Sequence, residues 1–399
     1  MYVNVRHHRL SQQAALPPLF LYVHLPWCLA KCPYCDFNSH ALRLADLHEL
    51  PEQRYLAALQ ADLDAALPLI WGRTVQGIFI GGGTPSLFSA SAIDLLLGHV
   101  RSCVRLLPGC EITLEANPST VLPERLKAYR HSGVTRLSLG VQSFDDDFLK
   151  SLGRVHDRDQ ALAAVTATAK TFDTFNLDLM YALPGQTLDH LQQDLAVALS
   201  FVPAHLSVYQ LTIEANTRFA IHPPSLPDDD TTAEMLDLIT LMTQSAGLDR
   251  YEVSAFARPG HRCCHNLNYW QFGDYLGIGA GAHSKISLGD RITRQVRLSD
   301  PDRYMTQALA GCAVAKDDVV CAVDLPFEFM LGALRLKEGF ALALLSERTG
   351  LAVGKVQNAL DKAVRQGLLV CDGVMVTPTV RGFDMLNDLV SLFLPNAAG

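Results

Sequence analysis

Residues 22–37 read Tyr22-Val-His-Leu-Pro-Trp-Cys-Leu-Ala-Lys-Cys-Pro-Tyr-Cys-Asp-Phe37, so that Cys28, Cys32 and Cys35 are spaced C-x3-C-x2-C and Phe stands at position 37, where a fourth cysteine could sit. Soft thiolates suit iron–sulfur clusters or zinc. Three thiolates on one loop can hold three irons of a cubane [4Fe–4S] cluster and leave the fourth iron open to an exogenous ligand. A structural zinc site closes with four ligands, normally in paired C-x2-C spacing. Here the fourth would have to be recruited, with His24 and His40 the nearest imidazoles. Unligated core thiols are the remaining alternative.

Working outward, short apolar, β-rich runs alternate with helical patterns. The runs are Phe20–His24, Val75–Ile80, Glu111–Ala116, Thr135–Val141, Phe175–Tyr181 and Leu206–Leu211. Helix-period segments fall near 53–67, 89–106, 122–131, 157–170 and 187–200, and Ser89 and Thr187 supply capping chemistry at two starts. Six strands alternating with helices imply a parallel sheet with right-handed crossovers. Six units are too few to close an eight-fold barrel, so the expected core is an open, partial (β/α)6 TIM-type barrel. Such barrels place chemistry at the C-terminal strand ends. Beyond about residue 215 the pattern breaks at Pro223-Pro224 and Pro227-Asp-Asp-Asp230. A helix near 231–246, a strand at Tyr251–Ala255 and a Gly-rich stretch from Gly273 to Gly281 follow.

From about Val320 a separate unit is expected. It has helices at 327–336, 341–349 and 354–367, a hairpin around Asp372-Gly373 and a last helix at 379–393, an order like that of a winged-helix module. Seven basic residues against eight acidic ones in 320–399 give no basic face for DNA. The expected division is an N-terminal tail at 1–17, a barrel core at 18–225, a core extension at 226–319 carrying a His265-Asn-Leu-Asn-Tyr-Trp270 loop, and a small C-terminal α+β domain at 320–399.

The chain has 399 residues, 49% of them hydrophobic and 19% charged, which fits a soluble globular protein with a substantial core. A net charge of −8 argues against nucleic acid as a partner. No apolar run approaches the roughly 18 residues of a membrane span; the run Leu19–Trp27 is short and interrupted by His24 and Pro26. No signal-peptide pattern opens the chain. The first 35 residues lack Asp and Glu and include Arg6 and Arg9, only a faint likeness to a transit peptide. The expected location is the cytoplasm. The ten cysteines do not suggest a disulfide scaffold. Cys103, Cys110, Cys312, Cys321 and Cys371, set among apolar residues, are expected to be inert small hydrophobes.

The stretch Tyr22–Phe37, continued as Asn38-Ser-His40, resembles the radical SAM superfamily, in which C-x3-C-x2-C binds a [4Fe–4S] cluster whose open iron is chelated by S-adenosylmethionine (SAM). Within it the wording is similar to the oxygen-independent coproporphyrinogen III oxidase-like family, on its haem-chaperone side. The resemblance runs from about residue 18 to the C-terminus and implies that the barrel is a radical SAM core. Cys28, Cys32 and Cys35 would hold the cluster. Gly81-Gly82-Gly83-Thr84-Pro85 reads on its own as a tight βα turn whose glycines permit close backbone approach; the resemblance makes Gly82, Gly83 and Thr84 the motif that holds the SAM amino group.

Glu115, Gln142, Arg154 and Asp178 are polar groups at or near strand ends and need partners once buried. Internal pairing, for instance of Arg154 with Asp178, is one reading. The resemblance implies instead that Arg154 takes the methionyl carboxylate bidentately, with Glu115, Gln142 and Asp178 on the ribose and amino groups. Tyr22 and Tyr34 read alone as core aromatics; the resemblance makes them SAM contacts.

His265-Asn266-Leu267-Asn268-Tyr269-Trp270 follows Cys263-Cys264. His, Tyr and Cys all serve as axial ligands of haem iron. The alternative is a loop that packs Tyr and Trp against the barrel mouth. H-N-x-x-Y looks like the haem-binding signature of the chaperone branch, which implies haem at His265 and Tyr269 and delivery to acceptor haem proteins, respiratory cytochromes among them. The rival implication is the oxidase, which decarboxylates two propionates. That enzyme has a longer N-terminal region and a Cys-x-Cys ending to its cluster loop, whereas position 37 here is Phe.

Overall fold

The computed structural model describes residues 16–42 and 50–395; most of the expected N-terminal tail, 1–15, lies outside them. Six parallel strands run in sequence order, each hydrogen-bonded to the next: β1 (Leu19–Leu25), β2 (Thr74–Gly82), β3 (Arg105–Ala116), β4 (Arg136–Gln142), β5 (Thr174–Tyr181) and β6 (His205–Gln210). Between them lie α1 (Glu52–Ala66), α2 (Ala90–Cys103), α3 (Pro123–Ser132), α4 (Asp146–Ser151), α5 (Arg158–Thr171) and α6 (Leu188–Ser200). Ser89 and Thr187 cap α2 and α6 through their hydroxyls, as their position suggests. The expected (β/α)6 core is therefore present.

Side-chain alternation along these strands explains both the packing and the site. On β3, Ile112, Leu114 and Ala116 join the apolar core under the helices, while Thr113 and Glu115 line a cavity inside the barrel. On β4, Leu137, Leu139 and Val141 are buried outward, and Arg136, Ser138, Gly140 and Gln142 face inward. β5 and β6 repeat the rule, with Asn176, Asp178, His205 and Ser207 inside. Period-2 alternation thus gives one sheet two environments. The apolar face carries the stability, and the polar face is available to ligands.

The sheet does not stop at six strands. After α7 (Arg218–Ile221) and α8 (Asp229–Ser245) come β7 (Asp249–Arg250), β8 (Ala255–Ala257), the short helix α9 (Cys264–Trp270), β9 (Asp274–Ile278), β10 (His283–Ser287), β11 (Ile292–Arg297), α10 (Pro301–Leu309) and β12 (Val314–Val319). The twelve-stranded order is β12-β11-β10-β9-β1-β2-β3-β4-β5-β6-β8-β7. β9 lies parallel to β1, with Leu19 opposite Asp274 and Val23 opposite Ile278.

The Gly-rich stretch at 273–281 is therefore largely a strand. A Cβ on Gly277 would stand 2.1 Å from the His283 carbonyl, and one on Gly279 (φ +105°) 2.3 Å from the His24 carbonyl. Glycine there permits the close approach to β10 and β1. Asp62 of α1 fastens this edge. Its carboxylate accepts from Arg297 Nε at 2.9 Å, Tyr304 Oη at 2.9 Å and the Gly279 N–H at 3.2 Å.

Several expectations shift. The strand placed at Tyr251–Ala255 forms at Ala255–Ala257, where it pairs antiparallel with β6. α2 ends at Cys103 rather than 106, because Arg105 and Leu106 pair with Thr74 and Val75 and so extend β3 backwards. The expected loop at 265–270 is the helix α9. The cysteines are all free, but Cys312 and Cys321 are exposed rather than packed, each lying in a connection just outside β12. Cys103 is only half-buried, with Sγ 3.4 Å from His99 and 3.5 Å from Asp64.

The C-terminal part contains α11 (Leu325–Ala333), β13 (Phe340–Ala341), α12 (Leu342–Thr349), α13 (Gln357–Arg365), β14 (Leu369–Cys371) and β15 (Met375–Pro378), with sheet order β13-β15-β14. Asp372 shapes the expected hairpin by accepting from the Val374 and Met375 N–H groups. The helix expected at 379–393 breaks at Met385 into Val380–Asp384 and Leu386–Ser391. Phe329, Leu345, Leu360, Val376 and Leu389 form a second core, which also draws in Phe272 and Ile292 from before residue 320. Among the described residues no helix is long and apolar enough to cross a membrane.

Candidate cofactor site inside the barrel

At the end of β1 the chain leaves the sheet through Pro26. Trp27–Cys28 then pairs with His40–Ala41, which closes residues 29–39 into an excursion over the C-terminal mouth. The Cys35 N–H donates to the Cys32 carbonyl at 3.2 Å, turning the loop back on itself. Cys28, Cys32 and Cys35 all line one cavity of about 530 Å³. Burial pushes the Cys28 thiol up, and a hydrogen bond to Thr84 opposes that rise.

The two imidazoles that could complete a zinc site are engaged elsewhere. His24 holds Tyr22 Oη through Nδ1 at 2.7 Å and the Asn38 carbonyl through Nε2 at 2.9 Å, and burial lowers its pKa to about 4. His40 Nε2 meets Asn38 Oδ1 at 3.2 Å. Neither is among the cavity-lining residues. Three soft donors in one pocket wall, with His24 and His40 both engaged elsewhere, fit a cluster better than closed zinc.

The glycine turn after β2 docks directly beneath this loop. The Gly83 N–H donates to the Leu25 carbonyl at 2.8 Å and the Thr84 N–H to the Trp27 carbonyl at 2.7 Å. A Cβ on Gly83 would come within 2.5 Å of the Trp27 carbonyl oxygen, and Gly82 has φ +113°. Only glycine fits either place without displacement. The Gly82 N–H donates to Glu115 Oε2 at 3.1 Å.

Burial and the neighbouring Asp178 charge push the Glu115 pKa up to about 8. Burial also raises the Asp178 carboxyl, against hydrogen bonds from Asn176 at 2.7 Å and Ser138 at 3.2 Å. Gln142 sits at a register shift on β4 with φ +72°, and a non-glycine residue held there marks a site the surroundings over-determine.

Arg154 donates to the Gly140 carbonyl at 2.8 Å and to Cys32 Sγ at 3.5 Å, and its buried Nε has no partner among the described residues. It makes no ion pair with Asp178 or Glu115. Tyr34 lines the cavity beside it, whereas Tyr22 is not among the lining residues and stacks on Phe79 with ring centroids 5.7 Å apart.

A raised Glu115 pKa has a measurable consequence. The folded chain holds a proton that the unfolded chain has released, so between about pH 4.5 and 8 the folded state binds more protons and loses stability as pH rises. The thermal midpoint of the cluster-free wild type should fall from pH 6 to pH 9, by the equivalent of roughly 1–3 kcal/mol once cavity solvation is discounted. Glu115→Gln should flatten the profile. An equally steep decline in the variant would assign the effect to another group.

The α9 helix occupies the inner end of the same cavity. His265 and Tyr269 are four residues apart and share its barrel-facing side. The His265 ring stacks on Phe79 at 4.1 Å, with Tyr269 6.3 Å away. His265 Nδ1 lies 3.2 Å from Glu111 Oε1 and 3.0 Å from Cys263 Sγ. Burial holds the His265 pKa down, against Glu111. Burial pushes Glu111 the other way, but His265 and Arg136 outweigh it and lower its carboxyl to about 2. Trp270 turns away and stacks under Arg335 at 4.2 Å.

Sequence reasoning passed over Glu111, Thr113, Arg136, Asn176, His205 and Ser207 in this interior. Their signal was available as polar residues alternating with apolar ones in strands of a parallel sheet, where both faces are usually apolar.

A family model described as the radical SAM superfamily matches residues 22–198, and one described as the HemN C-terminal domain matches 322–385. Among curated proteins, the chain is 45% identical to the heme chaperone HemW of Haemophilus influenzae over 385 residues, covering 95% of this chain and 98% of that one. It is 45% identical to the heme chaperone HemW of Escherichia coli, at 95% and 99% coverage, and 32% identical to that of Bacillus subtilis, at 94% and 98%. Among solved structures, the coproporphyrinogen III oxidase HemN of Escherichia coli superposes with a TM-score of 0.80 at 23% identity, covering 96% of this chain and 91% of that one. At that identity the likeness is one of fold.

Proposed function

The chain belongs to the heme chaperone HemW family within the radical SAM superfamily, and from that premise we propose that it binds a [4Fe–4S] cluster, SAM and haem, and delivers the haem to acceptor haem proteins in the cytoplasm, apo-forms of respiratory cytochromes among them. The observation that carries this reading is that the cysteine loop, the polar strand ends and the His265–Tyr269 face open on one cavity. In this reading Cys28, Cys32 and Cys35 ligate the cluster, which supplies an open iron for the amino and carboxylate groups of SAM. Gly82, Gly83 and Thr84 present backbone to the SAM amino group. Arg154 takes the methionyl carboxylate, its buried Nε having no acceptor among the described residues. Glu115, Gln142 and Asp178 hold hydroxyl and amino groups, Tyr34 packs beside them, and Tyr22 acts from behind through His24.

His265 and Tyr269 ligate or flank the haem iron, with Glu111 orienting the imidazole through Nδ1 as carboxylates do for metal-bound histidine. The division into a core at 18–225, an extension at 226–319 and a C-terminal unit at 320–399 is part of the same proposal.

The test is anaerobic reconstitution followed by two assays in parallel. Haem should bind with a Soret band that changes on His265→Ala or Tyr269→Phe, and the bound haem should pass to an apo-haem protein. Coproporphyrinogen III should remain unconverted. Robust decarboxylation with SAM turnover, together with haem binding indifferent to both substitutions, would instead establish the oxidase.

A further inference from the structure

Deep in the barrel two buried donors lack acceptors. Arg136 is 2% exposed and Thr113 fully buried, yet Arg136 Nη1, Arg136 Nη2 and Thr113 Oγ1 have no hydrogen-bond partner among the described residues. They stand opposite each other in the β3–β4 register, and both line the cavity. The two carboxylates that feel the Arg136 charge, Glu111 and Asp178, take their hydrogen bonds from other donors. The Glu111 carboxylate takes His265 Nδ1 at 3.2 Å and the Cys264 N–H at 3.5 Å. Asp178 takes Asn176 and Ser138. The neighbouring His205 is satisfied by Asn176 at 2.7 Å and Tyr251 at 2.9 Å. A buried guanidinium without a hydrogen-bonded anion is costly. Its planar fork matches a carboxylate bidentately, and a hydroxyl beside it adds a third donor.

We propose that Arg136 and Thr113 form a carboxylate-binding subsite, and that it receives a propionate of the haem. The haem part rests on the function proposed above. Arg136 begins β4 and Gln142 ends it, so the subsite lies roughly 20 Å along the strand from the SAM-facing end, at about 3.3 Å per residue. It lies instead toward α9, whose N-cap Cys263 and His265 line the same cavity and whose His265 meets Glu111, two residues before Thr113 on β3. A propionate held there would leave the macrocycle between the His265–Tyr269 face and the strand ends. The methionyl carboxylate of SAM is the other possible source of this chemistry.

The experiment titrates the cluster-loaded wild type, Arg136→Gln and Thr113→Val with ferric haem, with haem dimethyl ester and with SAM. Wild type should bind haem at least about 10-fold more tightly than its diester, the loss expected for a charge-assisted pair. Arg136→Gln should bind haem as weakly as the diester and no longer distinguish the two, Thr113→Val should fall between, and SAM affinity should stay unchanged in both. Equal binding of haem and diester by wild type overturns the subsite while leaving haem binding itself intact. Weakened SAM binding with unchanged haem binding in Arg136→Gln assigns the carboxylate to SAM and overturns it also. Absence of any haem binding by wild type removes both the subsite's ligand and the proposed function. Should Arg136→Gln lose its cluster, the diester comparison on wild type and Thr113→Val decides alone.

Discussion

Anaerobic reconstitution of Cys28→Ala, Cys32→Ala or Cys35→Ala should yield a chain with no cubane iron or sulfide and no cluster absorbance, where wild type takes about four irons. Each thiolate would account for one iron, and neither His24 and His40 nor Cys263, Cys264 and Cys312 are placed to replace one. His24 and His40 are held by Tyr22 and Asn38 and lie outside the cavity wall. Cys263 does line the cavity but sits at its inner end against His265, and Cys264 and Cys312 are exposed. Replacing any of these three should therefore leave iron and sulfide at wild-type levels. Undiminished iron and sulfide in the three loop variants would sink the cluster assignment.

Arg154→Ala should weaken SAM binding about 10- to 100-fold, equivalent to roughly 1.5–3 kcal/mol for a lost hydrogen bond to a charged group. The guanidinium is anchored by the Gly140 carbonyl and touches Cys32 Sγ, so its position does not depend on a carboxylate partner in the protein. It is thus preorganised for an incoming anion, and Arg154→Lys should recover only part of the loss because an ammonium lacks the planar fork. Iron content should be retained in both variants, as the three thiolates are untouched. Equilibrium SAM binding to the reconstituted proteins decides the matter. An unchanged dissociation constant would reduce Arg154 to a prop for the Cys32 turn and the Gly140 bulge.

The barrel was readable from sequence because its outward positions repeat with clean periods. Leu137, Leu139 and Val141 alternate on β4, and Ser89 and Thr187 announce two helix starts. The cysteine loop was readable because three thiols in eight residues have few uses. What escaped was set by tertiary context. Gly273–Gly281 lacks the β-branched density of a strand, and its glycines become intelligible only once β1 and β10 press against them. α9 is a single short helix, below the length at which a 3.6-residue period declares itself. Arg136, a charged residue opening a buried strand, reads locally as a strand terminus. Its interior placement follows only from the register that sets Thr113 opposite it.

β9 lies parallel to β1, on the flank opposite β2. The two partners are separated by roughly 250 residues of chain. Ribosomal elongation runs at about 5–20 residues per second, so β1 emerges some tens of seconds before the strand that covers its outer edge. Throughout that interval the nascent chain presents an unpaired edge next to the cysteine loop, and such edges invite wrong pairing. The α9 helix that stops the inner end of the barrel also arrives only with this late segment. The cysteine loop, which follows β1 directly, is therefore made long before the strand that covers the outer edge of β1, and a chain released early, before residue 278, would keep that edge unpaired.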